Sequence, residues 1–74
     1  MRKRFETRLL DKMMCAYVAW LEACRAEREA YRSWARATGT DAEVAFMRYA
    51  AALDMEELAA EAYADLVRKV AVEP

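Results

Sequence analysis

Alanine recurs at every seventh residue along both halves of this chain. One series is Ala16, Ala23, Ala30 and Ala37, and a second series is Ala45, Ala52 and Ala59, which Leu66 continues. A seven-residue spacing keeps a side chain on one side of an α-helix, and a small side chain there lets a neighbouring backbone approach closely. The pattern predicts an all-α protein whose helices pack tightly against each other, and it identifies no activity.

Residues that break helices are almost absent. The 74 residues include one glycine, Gly39, and one proline, at the final position. Gly39 suits the left-handed conformation that ends a helix. The following residues, from Thr40 to Glu43, match a capping box, in which the threonine hydroxyl and the glutamate side chain satisfy amides at the start of a helix. We therefore expect two long helices joined by one tight turn.

The short turn sets the relative direction of the two helices. We expect a single domain over residues 1–74, with helix 1 at about 3–38, a turn at about 38–40 and helix 2 at about 41–71. Helices joined by so few residues lie side by side and run antiparallel. The expected fold is an all-α, two-helix antiparallel hairpin.

Apolar side chains exceed what two helices bury against each other. Apolar residue types make up 58 % of the chain, although 34 % of the residues are charged. A second copy of the hairpin would cover the surplus apolar surface, which predicts a homodimer in the form of a four-helix bundle. The expected helix–helix interface comprises Ala16, Tyr17, Trp20, Ala23, Cys24, Ala30, Tyr31, Trp34, Ala45, Tyr49, Ala52, Ala59, Tyr63 and Leu66.

The two halves carry opposite charge. Residues 1–39 contain nine Lys or Arg and five Asp or Glu, a net charge of +4, whereas residues 40–74 contain three and eight, a net charge of -5. Opposite charges favour contact between unlike helices, within one chain and across a dimer. Because an exposed ion pair contributes only about 0 to 1 kcal/mol, the pattern acts on specificity more than on stability.

The types of residue present argue against catalysis. The chain contains no His, which removes the commonest general base and the commonest metal ligand, and one Gly cannot build a phosphate-binding loop. Cys15 and Cys24 are separated by about 13 Å along a helix, too far for a disulfide within one chain, so both are expected to be reduced packing residues. We expect no catalytic residue, no metal site and no cofactor, and we interpret the protein as non-enzymatic.

Four charged residues interrupt otherwise apolar helix faces, and they are Glu27, Arg28, Arg48 and Glu56. Buried charges need partners. Two interpretations remain open. These side chains either lie at the rim or bridge the helices as ion pairs that fix the register, or they line a ligand pocket.

Basic residues crowd the beginning of helix 1, at Arg2, Lys3, Arg4 and Arg8. In an antiparallel hairpin Arg68 and Lys69 arrive at the same end, so this end forms a basic pole that is suited to nucleic-acid phosphates. No recognised nucleic-acid motif accompanies the pole, and the net charge of -1 gives no general attraction. We therefore place binding of RNA or DNA through these basic residues second, as the alternative to the protein-interaction function.

Composition also bears on location and origin. No run of about 18 uncharged apolar residues occurs, so no membrane-spanning helix is expected. Arg outnumbers Lys nine to three, which is typical of GC-rich bacterial or phage genomes. We predict a small cytoplasmic interaction or regulatory protein that acts as a homodimer and binds an unidentified protein or other macromolecule.

Overall fold

A computed structural model describes the backbone of residues 2–72 and the side chains of residues 7–72. This part of the chain forms two α-helices and no strand: α1 spans Arg2–Arg36 and α2 spans Thr40–Val72. Tyr17 contacts Tyr63 at the open end, and Trp34 contacts Phe46 near the turn. The helices therefore run antiparallel along their length, which confirms the all-α helical hairpin.

The turn depends on Gly39, whose φ of 61° lies in the left-handed region that residues with a side chain rarely adopt. After α1 ends, the Ala37 amide donates to the Trp34 carbonyl at 3.2 Å. The Ala42 amide donates to the Gly39 carbonyl at 3.1 Å, so Gly39 occupies the cap position of α2. Thr40 is thus the first helical residue, and its hydroxyl does not make the capping-box bond expected from the sequence.

Half-buried side chains follow each other in alternating steps of three and four residues along both helices. This series comprises Met13, Ala16, Trp20, Ala23, Glu27, Ala30 and Trp34 in α1, Ala37 just after α1, and Ala42, Ala45, Tyr49, Ala52, Glu56, Ala59, Tyr63, Leu66 and Val70 in α2; the other half-buried residues, Cys24, Ala50, Ala60 and Ala64, each directly follow one of its members. We call this series the seam. Alternating steps of three and four are the heptad pattern of a coiled coil, and both alanine series lie entirely within it.

The hairpin is one layer thick. Its Cα atoms extend over 58 × 14 × 12 Å, which is the length of one long helix and the thickness of a pair. Leu9, at 9 % exposure, is the one buried residue among the side chains that the structure describes. Because each helix covers only one side of the other, the seam residues stay half-buried and the hairpin has no enclosed core.

Candidate functional site

Two aromatic stacks join the helices across the seam. The Trp20 ring stacks on Tyr63 with centroids 5.7 Å apart and an interplanar angle of 13°. The Trp34 ring stacks on Tyr49 with centroids 5.4 Å apart and an angle of 16°. In both stacks α1 supplies the tryptophan and α2 supplies the tyrosine, so two nearly identical contacts fix the register of the hairpin.

The two stacks are related by an exchange of the helices. Adding 29 to a residue number in α1 gives the residue at the equivalent place in α2, which pairs Tyr17 with Phe46, Trp20 with Tyr49, Glu27 with Glu56, and Trp34 with Tyr63. The ring contact between Tyr17 and Tyr63, at 5.4 Å, accordingly has its counterpart between Phe46 and Trp34, at 5.1 Å. The hairpin therefore has approximate twofold symmetry about an axis perpendicular to its helices.

Glu56 is a carboxylate in the seam of α2 that is held by donors from α1. The Trp20 indole Nε1 donates to Glu56 Oε1 at 3.1 Å, and the Cys24 thiol donates to the same oxygen at 3.7 Å. Burial raises the pKa of the Cys24 thiol, and the Glu56 charge and hydrogen bond raise it further. The cysteine is thereby kept in its protonated, unreactive form.

Glu27 plays the equivalent part from the other helix. Burial raises the pKa of the Tyr49 hydroxyl, and the Glu27 charge, the neighbouring Tyr31 and a hydrogen bond to Glu27 add to that rise. Each helix thus contributes one carboxylate, and the opposite helix supplies its aromatic donor. Both acids are half-buried in the seam, so each needs its polar neighbours on the opposite helix.

The charges on the apolar faces do not form the interhelical ion pairs that we considered. The ion pair found among the described residues joins Arg68 to Asp65, which both belong to α2. Arg28 and Arg48 are exposed, and Arg28 Nε donates to the Cys24 carbonyl of its own helix at 3.4 Å. Because the register places Trp20 and Cys24 opposite Glu56, neutral donors satisfy this acid in place of a cation.

The predicted interface residues lie in or beside the seam. Twelve of the fourteen are half-buried. Tyr17 and Tyr31 are 37 % and 50 % exposed, yet their rings contact Tyr63 and Tyr49 across the hairpin, at 5.4 and 5.5 Å. Cys15 is exposed, so its interpretation as a packing residue is wrong: it lies on the outer side of α1.

One broad side of the hairpin is apolar and uncovered. It contains large apolar residues that directly follow seam positions, together with Leu10, which follows the buried Leu9, and in an antiparallel pair such positions of the two helices share one side. We call this side the open face. It comprises Leu10, Met14, Tyr17, Leu21, Tyr31, Phe46, Leu53 and Val67, whose side chains are 37–57 % exposed.

The sequence prediction of the interface contained only the two tyrosines of this face. The remaining members form a second stripe, each one residue after a seam position or, for Leu10, one residue after Leu9, and that spacing is readable in the sequence. A helix with two adjacent apolar stripes packs against two neighbours at once, as in a helix bundle. The seam accounts for one neighbour, and the open face has none within the hairpin.

The opposite side of the hairpin is less apolar. There α2 exposes Val44, Met55 and Leu58, at 51 %, 62 % and 61 %. The facing positions of α1 are small or charged, namely Lys12, Ala19, Ala26 and Ser33. The apolar strip on this side is therefore confined to one helix, whereas the open face extends across both.

The predicted basic pole is described only in part. Arg8 is exposed, while the side chains of Arg2, Lys3 and Arg4 lie outside the described residues. At the same end, Asp65, Arg68, Lys69 and Val72 line a shallow surface depression. Asp65 pairs with Arg68, so one of the two cations there is neutralised by its own helix.

Other kinds of site find little support in the described residues. They contain no group of three or more side chains suited to holding a metal ion. Neither α1 nor α2, over the described range, has a segment apolar enough to cross a bilayer. Comparison of the chain with protein-family models, curated proteins and solved structures finds no match. The open face is therefore the feature of this hairpin that most needs a functional explanation.

Proposed function

We propose that this chain is a small, non-enzymatic interaction protein that acts as a homodimer through its open face. The observation that carries the proposal is the extent of that face: eight large apolar side chains are left 37–57 % exposed, whereas the side chains described over residues 7–72 include a single buried one. Each Å² of apolar surface removed from water contributes about 25 cal/mol. Two open faces brought together give a four-helix bundle with the enclosed core that one hairpin lacks.

In this proposal the dimer works by binding a further macromolecule as a scaffold or regulator. The seam carboxylates support a structural role over a catalytic one, because Glu56 is already satisfied by Trp20 and Cys24. The free cysteines agree with a reducing location such as the cytoplasm. The apolar strip of Val44, Met55 and Leu58 stays uncovered in such a dimer and offers a surface for a second partner.

Nucleic-acid binding is the second candidate. Exposed Arg8 and the depression beside Arg68 and Lys69 place cations at one end of the hairpin. The ion pair from Asp65 and the net charge of -1 weaken the field of this pole. We therefore rank it below the protein-interaction function.

The test is the mass of the protein in solution, measured by light scattering after size exclusion at several concentrations. We expect twice the chain mass of 8.5 kDa at micromolar concentration. Leu53→Glu, on the open face, should shift the protein to monomer. Leu58→Glu, an equally drastic change on the opposite side of α2, should leave the dimer intact.

Two results would contradict the proposal. A well-folded wild-type hairpin that stays at 8.5 kDa would exclude the homodimer. A dimer that is disrupted by Leu58→Glu and insensitive to Leu53→Glu would place the interface on the opposite side.

A further inference from the structure

Six exposed charges flank the outer edges of the open face, three on each helix. Arg25, Arg28 and Arg32 form an arginine triplet on α1, and Asp54, Glu57 and Glu61 form an acidic triplet on α2. The 29-residue relation that links the aromatic stacks also links these residues one to one. The two helices therefore carry opposite charges at equivalent places.

The triplets do not neutralise each other within the hairpin. Both are exposed, and none of the six forms an ion pair in the part of the chain that the structure describes. They lie on the sides of the helices that face away from the seam. A partner that stacks on the open face brings its own helices against these edges.

From this arrangement we infer how the second copy binds: α1 of each hairpin packs antiparallel on α2 of the other, and both turns lie at the same end of the bundle. The arginine triplet of each copy then overlaps the acidic triplet of the other where Arg25 meets Asp54, twice per dimer. This inference rests on the proposed homodimer and specifies its geometry.

The heights of the residues along the hairpin support this pairing. Tyr17 lies level with Tyr63, and Tyr31 lies level with Tyr49, because their rings are in contact. Arg25 consequently lies close to the height of Asp54.

When two copies stack with their turns together these heights are kept. Arg25 of each copy then comes beside Asp54 and Glu57 of the other. Arg28 comes beside Asp54, whereas Arg32 and Glu61 lie farther apart, toward opposite ends of the hairpin.

The alternative stacking places like charges together. With the turns at opposite ends, α1 packs on α1 and α2 packs on α2, both antiparallel. Glu57 lies near the middle of Thr40–Val72, so the acidic triplet would face its own copy. Like-charge contacts disfavour an interface, whereas complementary ones select its orientation.

Charge reversal tests the inference in solution. One variant carries Arg25→Glu, Arg28→Glu and Arg32→Glu, a second carries Asp54→Lys, Glu57→Lys and Glu61→Lys, and a third carries all six changes. We expect each triple variant to raise the dimer dissociation constant roughly tenfold or more. The variant with all six changes should have a dissociation constant within about threefold of the wild-type value. High salt should shrink these differences.

A distance measurement on the wild-type charges gives an independent answer if a triple variant fails to fold. A spin label is attached at Thr38→Cys, beside the turn, in a chain that also carries Cys15→Ser and Cys24→Ser. We expect a label-to-label distance of about one to two helix diameters, ~10–20 Å plus the label arms. Turns at opposite ends would instead give a distance near the 58 Å length of the hairpin. A label at Ala62→Cys, near mid-length, should give a short distance in either arrangement and is the control.

The outcomes separate the inference from the proposed function. A dimer with distant turns, or with equal affinity in the wild type and all three charge variants, overturns the inference and leaves the homodimer standing. A monomeric wild type overturns the homodimer itself. Close turns together with charge-dependent affinity support both.

Discussion

The Trp20 indole of α1 donates a 3.1 Å hydrogen bond to the Glu56 carboxylate of α2. The same tryptophan stacks on Tyr63, about two turns farther along α2. One side chain thus makes an apolar and a polar contact with the opposite helix. The hydrogen bond forms only over a narrow range of donor–acceptor distances, so it limits how far one helix can shift along the other. The register of the hairpin is therefore sensitive to Glu56.

Replacing Glu56 should destabilise the hairpin. Glu56→Leu removes the acceptor for the Trp20 and Cys24 donors, and we expect the free energy of unfolding to fall by about 1 to 3 kcal/mol. Glu56→Gln keeps an acceptor oxygen and should cost less. Urea unfolding followed by circular dichroism, at one fixed protein concentration, measures both. Glu22→Leu, at an exposed place on α1, is the control and should change stability by less than about 0.5 kcal/mol. Equal effects at Glu22 and Glu56 would contradict a specific role for the seam carboxylate.

The alanines of the seam should resist enlargement. Ala52→Leu puts a bulky side chain where the helices approach, so we expect a loss of about 1 to 3 kcal/mol through overpacking or separation of the helices. Ala51→Leu changes the adjacent exposed residue and is the matched control. Leu and Ala are both strong helix formers, so propensity contributes little to the difference. Thermal melts compare the two, and an unchanged midpoint for Ala52→Leu would show that the seam is not tightly packed there.

Gly39 should be required for its backbone conformation rather than for space. A Cβ added at Gly39 meets no atom within 4 Å, so a clash plays no part. Its φ of 61° is unfavourable for a residue with a side chain, and we expect Gly39→Ala to cost about 1 to 2 kcal/mol. Asparagine tolerates this region better, so Gly39→Asn should fall between alanine and wild type. If alanine and asparagine are equal to glycine in unfolding experiments, the left-handed turn is not retained in solution.

Alkaline pH should destabilise the fold. The pKa of Cys24 and that of Tyr49 are raised above their ordinary values of 9.0 and 10.0, so the folded chain holds these protons more tightly than the unfolded chain. Their contribution is complete below the ordinary pKa values and is lost as pH rises through the raised ones, so the urea midpoint should decline above about pH 9. Cys24→Ser combined with Tyr49→Phe should flatten the decline. Cys15→Ser, at an exposed cysteine, should keep it, and a decline that survives in the double variant would assign it to other groups.

Nucleic-acid binding should be weak. The acidic residues of α2 lie beside the basic pole, and a Debye length of about 8 Å screens them incompletely. We expect no sub-micromolar binding of labelled RNA or duplex DNA by fluorescence anisotropy at about 150 mM salt. Tight binding at that salt concentration, lost when Arg2, Lys3, Arg4 and Arg8 are changed to Ala, would promote the second candidate function.

The hairpin was predictable from the sequence because its determinants are local. Gly39 is the one strong helix terminator between two long helical segments, and the alanine spacing marks the side on which each helix packs. Both signals follow from the geometry of a single helix. The cap of α2 was misplaced by one residue, because Gly39, whose carbonyl accepts the Ala42 amide, takes the cap position that we assigned to Thr40.

The partners of the seam carboxylates required the register, which is not a local property. The sequence shows that Glu27 and Glu56 interrupt apolar stripes, and a cation was the natural partner to expect. Whether Glu56 meets a cation or Trp20 depends on how far one helix is shifted along the other. The aromatic stacks set that shift, and their ring geometry is known only once both helices are in place.

The 29-residue equivalence of the two helices bears on how such a protein can originate. Because equivalent positions of α1 and α2 make equivalent contacts across the seam, the sequence of one helix is enough to specify both sides of it. A single segment of this kind, paired with its own copy, would already contain an aromatic stack at these positions and the carboxylate with its donor. Duplication and fusion through a glycine turn would replace a concentration-dependent pairing with an intramolecular one, at an effective concentration on the order of millimolar. Once fused, the two halves are free to diverge in charge while the contacts between them stay the same.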